Sequence, residues 1–405
     1  MKRIMGSVFL GCFTCMLAVS LLLAQTAKTG APSGEPIKIG GSLPLTGVAS
    51  EQGKWVKAGY DWWAEDINSR GGLLGRPVKL IIYDDESSAE KAVSYYERAI
   101  TVDKVDLVFG GYPGTSNVAL MPLMEKYRKV FVGQGGHGKS FEQGFTYSFA
   151  SPPLMGEWSG ISIAGIFDDL IPKQNWPKTA AILTMNNVIG LSATPNIVKA
   201  FQNHGVKVAV NEIYNIPLSD ATPLVSKAKG HVAEFLVVQG FFDDTVMIMR
   251  AAKAQRYAPK VIWNIIGSRV PAWFKEMGAD GDYVLANTWF PGGLPFPGND
   301  RILDGAKTKL NMPFPPDYFA IGYCWMYTLE QGIRCAGVLD NTKIRDALRS
   351  RPFDLPFGKG VKFDSRGLPP PFNFTVQTRA GKNEIIWPKE VAEAKLAYPR
   401  PGWGK

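Results

Sequence analysis

The sequence predicts an α/β protein of two lobes, each with a parallel central sheet covered by helices. Three observations predict it. Short β-branched apolar runs alternate with amphipathic helical stretches along most of the chain. Residues 37–85 read strand, polar turn, helix, glycine turn, strand, which is a βαβ unit. The chain of 405 residues is also too long for one ordinary core. Each lobe is therefore expected to be Rossmann-like, and ligands of such sheets bind beyond the carboxyl ends of the strands.

The elements follow in order. Lys2 and Arg3 precede the apolar run Val8 to Leu23, and small residues surround Ala24 and Ala27. This is the pattern of a secretory signal peptide, residues 1–24, cleaved after Ala24, with a soluble and exported mature protein expected. Ile37 to Gly41 is a buried strand. Ser50 is expected to cap the next helix, with Glu51 in its first turn. Trp55, Val56, Gly59, Trp62, Trp63 and Ile67 recur at helical spacing and give that helix its core face. Gly71-Gly72 stops it, and Val78 to Tyr83 is the second strand. Strands are then expected at Asp106 to Gly110, Val130 to Val132 and Phe145 to Ala150, with a helix at Thr115 to Lys126. Ser151-Pro152-Pro153 breaks this series. A second series has helices near 156–170, 190–204, 221–229 and 243–254. Its strands are Ala180 to Met185, Val206 to Tyr214, Phe235 to Val238, Lys260 to Trp263 and Tyr283 to Trp289. Helices near 299–310, 316–336 and 341–350 come next, then a Pro- and Gly-rich tail containing the strand Phe374 to Gln377.

Charge and cysteines limit what the protein does. Loss of Lys2 and Arg3 leaves 36 acidic residues and a net charge of about +7, dispersed without a basic block. That pattern serves solubility and points away from nucleic acid. Cys12 and Cys15 leave with the signal; Cys324 and Cys335 fall in one helix, roughly 16 Å apart, too far for a disulfide. The three histidines, His137, His204 and His231, lack metal-ligand spacing, and no nucleophile elbow is present. No metal, cofactor or enzymatic activity is expected.

Three loops carry candidate chemistry. Residues 133–140, GQGGHGKS, match a phosphate-binding pattern that would suit a nucleotide hydrolase. That mechanism needs a following helix, whereas residues 141–147 look strand-like, so the loop is read as bare backbone beside a small ligand. Residues 109–117, FGGYPGTSN, end a strand and open a helix, whose amides can hold a carboxylate. The alternative there is ordinary capping by Thr115 or Ser116. Residues 239–244, QGFFDD, offer Phe241 and Phe242 for stacking, one of them expected in the core. Asp243 is a cap or an amine partner.

In order and spacing, the runs GSLPLTGVASEQG, NSRGGLLGRPVKLIIYDDE, FGGYPGTS and QGFFDD resemble one family. It is the branched-chain amino-acid-type periplasmic binding proteins of ABC importers, with a type I periplasmic binding fold. The resemblance spans about residues 36–365. It implies three hinge crossings, an interlobe cleft and delivery of cargo to a membrane permease by a monomer. The expected division is residues 36–152 and 290–357 in lobe 1, with 153–289 and 358–405 in lobe 2. Carried over by position, the ligand site comprises Gln52, Tyr112, Gly114, Thr115, Ser116, Gly135, Gly136 and His137. The second lobe adds the segment Asn187 to Gly190 with Ile189, then Phe241, Phe242 and Asp243.

Departures from the family pattern shape the expected ligand. Gln52 stands where relatives place a stacking Tyr, Gly114 where a carboxylate-binding Ser is usual, and Ile189 where a Tyr is common. A family Thr is replaced near Gly136-His137, and the acid that pairs an amino group has no counterpart near Asn264 to Ser268. Burying an ammonium without an acid is costly. The expected ligand is a carboxylate-bearing hydrophobic or aromatic compound. The rivals are a branched-chain or other hydrophobic amino acid paired to Asp243, and a sensor that docks on a membrane receptor.

Overall fold

The opening unit is β1 (Ile37–Leu43), α1 (Ser50–Ser69) and β2 (Val78–Asp84), with β1 and β2 parallel and in register from Ile37–Val78 to Leu43–Asp84. In this computed structural model the structure describes residues 31–134, 138–290, 294–371 and 373–404. The leader at residues 1–24 and the loop residues Gly135, Gly136 and His137 lie outside the described residues. Ser50 does not cap α1. It is the first helical residue; Ala49 is the N-cap and its own amide donates to Ser87 Oγ from the loop after β2. The tertiary contact has replaced the local one.

Next come α2 (Ala89–Thr101), β3 (Leu107–Val108), α3 (Gly114–Tyr127), β4 (Phe131–Gly133), β5 (Ser148–Ala150) and α4 (Met155–Gly165). Strand β1 lies between β2 and β3, all parallel, and β4 pairs parallel with β5. Helix α2, unread in the sequence, is capped by Ser88 Oγ and buries Ala92, Tyr96 and Ala99. Residues 141–143, expected to be strand-like, belong to a six-residue 3-10 turn, Gly138–Gln143, and Lys139 is exposed. A turn of that kind is not the α-helix a phosphate cradle needs.

The second series is β6 (Thr179–Met185), α5 (Val188–Asn203), β7 (Lys207–Tyr214), α6 (Thr222–Gly230), β8 (Phe235–Gln239), α7 (Phe242–Ala254), β9 (Val261–Asn264), α8 (Pro271–Met277) and β10 (Leu285–Thr288). Then follow α9 (Asn299–Lys309), α10 (Asp317–Ala336), α11 (Asn341–Ser350), the hairpin β11 (Phe353–Leu355) and β12 (Gly358–Val361), and β13 (Phe374–Arg379) with β14 (Lys382–Trp387). The large sheet runs β14-β13-β10-β9-β8-β6-β7. Its β10 to β7 portion is parallel, and β13 and β14 add an antiparallel edge. Such an edge on a parallel sheet is common in doubly wound folds.

The chain recrosses to its first sheet after β10. Helix α10 packs along α1: Phe319 and Tyr323 meet Gly59, Val56 meets Gly322, and Trp63 Nε1 donates to Glu330. Asp66 on α1 accepts from Arg70, Arg301 and Tyr323. Residues 358–368 remain on this side, where Phe363 packs edge-on against Phe149 and the Ala150 amide donates to the Gly367 carbonyl. From Phe374 onward the chain belongs to the large sheet. Trp63, Trp263 and Trp273 are buried as their spacing suggests, and Trp62 is half-buried with its Nε1 on the Arg301 carbonyl.

Candidate functional site

The carboxyl ends of β1 and β3 lie side by side, so the loops into α1 and α3 share one edge of the first sheet. Gly110 lets that arrangement close up: a Cβ there would sit 2.3 Å from the Val132 carbonyl oxygen. Tyr60 of α1 donates to the Gly110 carbonyl and fixes α1 against the turn. Two polar side chains on this edge, Gln52 and Ser116, are buried without a partner among the described residues. Gln52 is 0% exposed, and neither its Oε1 nor its Nε2 has a hydrogen bond. Ser116 Oγ, on a residue 1% exposed, has no partner among the described residues either, whereas the equally buried Tyr112 hydroxyl interacts with that of Tyr318. Burial drives the Tyr112 hydroxyl far above its ordinary pKa, and Tyr318 beside it adds to the shift, so it stays protonated.

The capping alternative for Thr115 and Ser116 fails. Helix α3 starts at Gly114 with Pro113 as N-cap, and no side chain caps it. Thr115 is half-buried and Gly114 buried on the same turn. The Ser116 and Asn117 amides donate to the Pro113 carbonyl, the Gly114 and Thr115 amides are not taken by a local hydroxyl, and that end of the helix favours negative charge.

The facing edge comes from the carboxyl ends of β6, β8 and β9, adjacent in the large sheet. Asn187 caps α5 by accepting from the Gly190 amide, and Ile189 behind it is buried. Phe241 is buried and Phe242 half-buried, the division expected for the pair. Asp243 is exposed and does not cap α7, whose N-cap is Phe241 without a side-chain bond. Its neighbour Asp244 is the buried acid, accepting from the Leu218 amide at 2.8 Å.

Sequence inspection missed the residues that join the two edges. Arg269, five positions past the end of β9, is buried and crosses to the start of α10, donating from Nη2 to Asp317 Oδ2. Its guanidinium lies 4.8 Å from the Trp289 ring centre and 5.2 Å from that of Tyr318. Tyr318 in turn meets Tyr112 edge-on at 5.4 Å. Thr288 at the end of β10 donates to the other Asp317 oxygen at 2.8 Å. The one signal in the sequence was a lone Arg in an apolar stretch, GSRVPAW, at the carboxyl end of a strand. Nothing local pointed to its partner 48 residues on.

The other buried carboxylates among the described residues are also engaged. Asp85 accepts from Ser42 and the Ser87 amide, Asp66 from two arginines and Tyr323, and Glu330 from Trp63 and Arg334. No group of three or more His, Cys, Asp or Glu residues able to hold a metal occurs among the described residues. Nor is any described helix long and apolar enough to cross a membrane.

The chain is 26% identical over 372 residues to a leucine-, isoleucine-, valine-, threonine- and alanine-binding protein of Pseudomonas aeruginosa, covering 88% of this chain and 95% of the relative. Among solved structures it superimposes with a TM-score of 0.76 on an ABC-transporter solute-binding protein of R. palustris in complex with benzoate. That pair is 16% identical, with 91% of this chain and 98% of the other covered. A branched-chain amino acid transporter substrate-binding protein of Streptococcus pneumoniae in complex with isoleucine gives a TM-score of 0.74 at 18% identity, covering 87% of this chain and 100% of the other. The family model described as Periplasmic binding protein matches residues 36–377. As the resemblance in its sequence implied, the chain belongs to the periplasmic binding protein family and has the type I fold of that family.

Proposed function

We propose that the protein is the extracytoplasmic solute-binding subunit of an ABC importer. It captures a small carboxylate-bearing hydrophobic or aromatic compound between two lobes and hands it to the permease. The lobes are the first sheet with α10 and α11, and the large sheet with its tail. The crossings fall between β5 and α4, between β10 and α9, and between β12 and β13. Ligand contact with both edges biases the hinge toward the closed form.

One observation carries this reading: Gln52 and Ser116 are buried with no partner among the described residues, beside a start of α3 that no side chain caps. Buried polar groups are nearly always satisfied, so such a set marks the place of a guest. The guest's acid is held by Thr115, Ser116 and the α3 amides, and its apolar body by Ile189 and Phe241, with Phe242 at the margin. The loop Gly135 to His137 is assigned to the same site from the family pattern alone. Benzoate and isoleucine, bound by the two structural neighbours, are both small carboxylates with apolar bodies.

An amino acid would also need an anion for its ammonium group. Asp243 is exposed, and each buried acid near the cleft is already engaged. A thermal-shift panel of aromatic acids and aliphatic amino acids at one pH tests the choice. Aromatic acids should raise the melting temperature and leucine should not; stabilisation by leucine alone would overturn it. Phe241→Ala and Thr115→Ala should each weaken binding of the best acid by about tenfold or more while leaving the ligand-free melt nearly unchanged.

A further inference from the structure

Gln52 makes a demand that a carboxylate cannot meet. Its side-chain amide is one acceptor and one donor pair, held on a residue with no exposure, and both ends lack a partner. Exchanging the amide oxygen and nitrogen leaves the demand unchanged, because either orientation buries one of each. A carboxylate can only accept. A plain hydrophobic acid therefore leaves the Gln52 oxygen stranded even when everything else is satisfied, and a stranded buried acceptor carries the full desolvation penalty.

The position of Gln52 places this demand at the seam of α1 with α10. Along α1, the row Gln52, Val56, Gly59, Trp63 runs beside α10: Val56 meets Gly322, Gly59 meets Phe319 and Tyr323, and Trp63 reaches Glu330. One helical turn back from Val56 and Gly322 are Gln52 and Tyr318. Tyr318 is the ring that touches Tyr112 and lies under Arg269. Gln52 and Tyr318 thus stand in the first turns of the two helices that this seam holds together. The tyrosine and serine hydroxyls can turn to donate or accept, but the Gln52 oxygen has no such freedom.

We infer that the ligand is a hydrophobic or aromatic acid that also carries a hydrogen-bond donor, a hydroxyl or an amide N–H, directed at Gln52. The inference rests on the cleft reading above and adds the second polar group of the guest. Gln52 is then the specificity-determining residue that separates such acids from their unsubstituted parents. Leaving a site's polar group unmatched is how large discrimination between near-isosteres arises.

Calorimetry on the full mature chain with benzoate, the three monohydroxybenzoates and N-benzoylglycine tests it, alongside Gln52→Leu and Gln52→Met. Wild type should bind at least one donor-bearing acid roughly tenfold or more tighter than benzoate. Both variants should lose that preference, binding benzoate and the donor-bearing acids alike. They should also melt at or above the wild-type temperature without ligand, because an unsatisfied buried amide has gone. Equal binding of benzoate and every donor-bearing acid by wild type would overturn the inference while leaving the cleft reading intact. So would an equal loss for both classes in the variants, or a lowered ligand-free melt, which would make Gln52 structural. Binding of no acid by wild type would overturn both.

Discussion

Asp85 shows what burial does to one residue at this sheet edge. It is 1% exposed, accepts from Ser42 Oγ at 2.8 Å, and burial pushes its carboxyl up to about 7, with Asp84 next to it adding to the shift. A carboxyl raised in the folded state contributes stability that is complete below its unfolded pKa, near 4, and is lost as pH rises through 7. Asp85→Asn still accepts from the Ser87 amide, and its Nδ2 can donate to Ser42 Oγ, whose hydroxyl turns to accept. Measured by urea denaturation, it should therefore gain on wild type by on the order of 3 kcal/mol between pH 4 and pH 8. A difference independent of pH would show that Asp85 titrates normally. At this scale the sequence revealed which residue types gather at the loops and hid their partners. Ser50, Thr115 and Asp243 all looked like caps, because capping is the local use of such side chains. In the fold Ser87 serves the turn before α1, Pro113 precedes α3 and Phe241 precedes α7. Arg269 was overlooked for the matching reason, its counter-ion being on a distant helix.

Among elements, the seam between α1 and α10 is closed by a glycine on each helix, Gly59 and Gly322. A Cβ on Gly59 would lie 2.2 Å from the Phe319 carbonyl oxygen, a backbone atom that cannot step aside. Gly59→Ala should push the helices apart and cost about 1–3 kcal/mol in urea denaturation. A cost below the error of the measurement would mean that the seam is looser than the geometry implies. Most elements were legible because parallel sheets make strands that are apolar throughout, and β6 and β8 are almost wholly buried. Helix α2 was legible too, from Ser88 as a cap and Ala92, Tyr96 and Ala99 on one face, but went unread between two stronger signals. The hairpin β11–β12 and the edge strand β14 had no such pattern. They are short and carry exposed charged positions such as Lys359 and Lys382, and their pairing depends on tertiary context.

For the molecule as a whole, the buried pair of Arg269 and Asp317 ties α10 to the segment after β9 of the large sheet. Removing one partner strands a charge, so Arg269→Met should destabilise by about 3–5 kcal/mol, while Arg269→Met with Asp317→Leu should recover most of that loss. A double variant no better than the single would show that the arginine acts through its stacking on Trp289 and Tyr318 instead. If the pair belongs to the closed form, small-angle scattering of the double variant should show a larger radius of gyration without ligand than wild type.

The seam of α1 with α10 also dictates an order of assembly. The sheet begun at Ile37 depends on a helix whose last residue is Ala336, so the half translated first is completed last. While the ribosome works through the other half, Val56, Gly59 and Trp63 have nothing to cover them. A fragment ending at Ala150 should stay open to proteolysis and become resistant only when a peptide spanning residues 317–350 is supplied in trans.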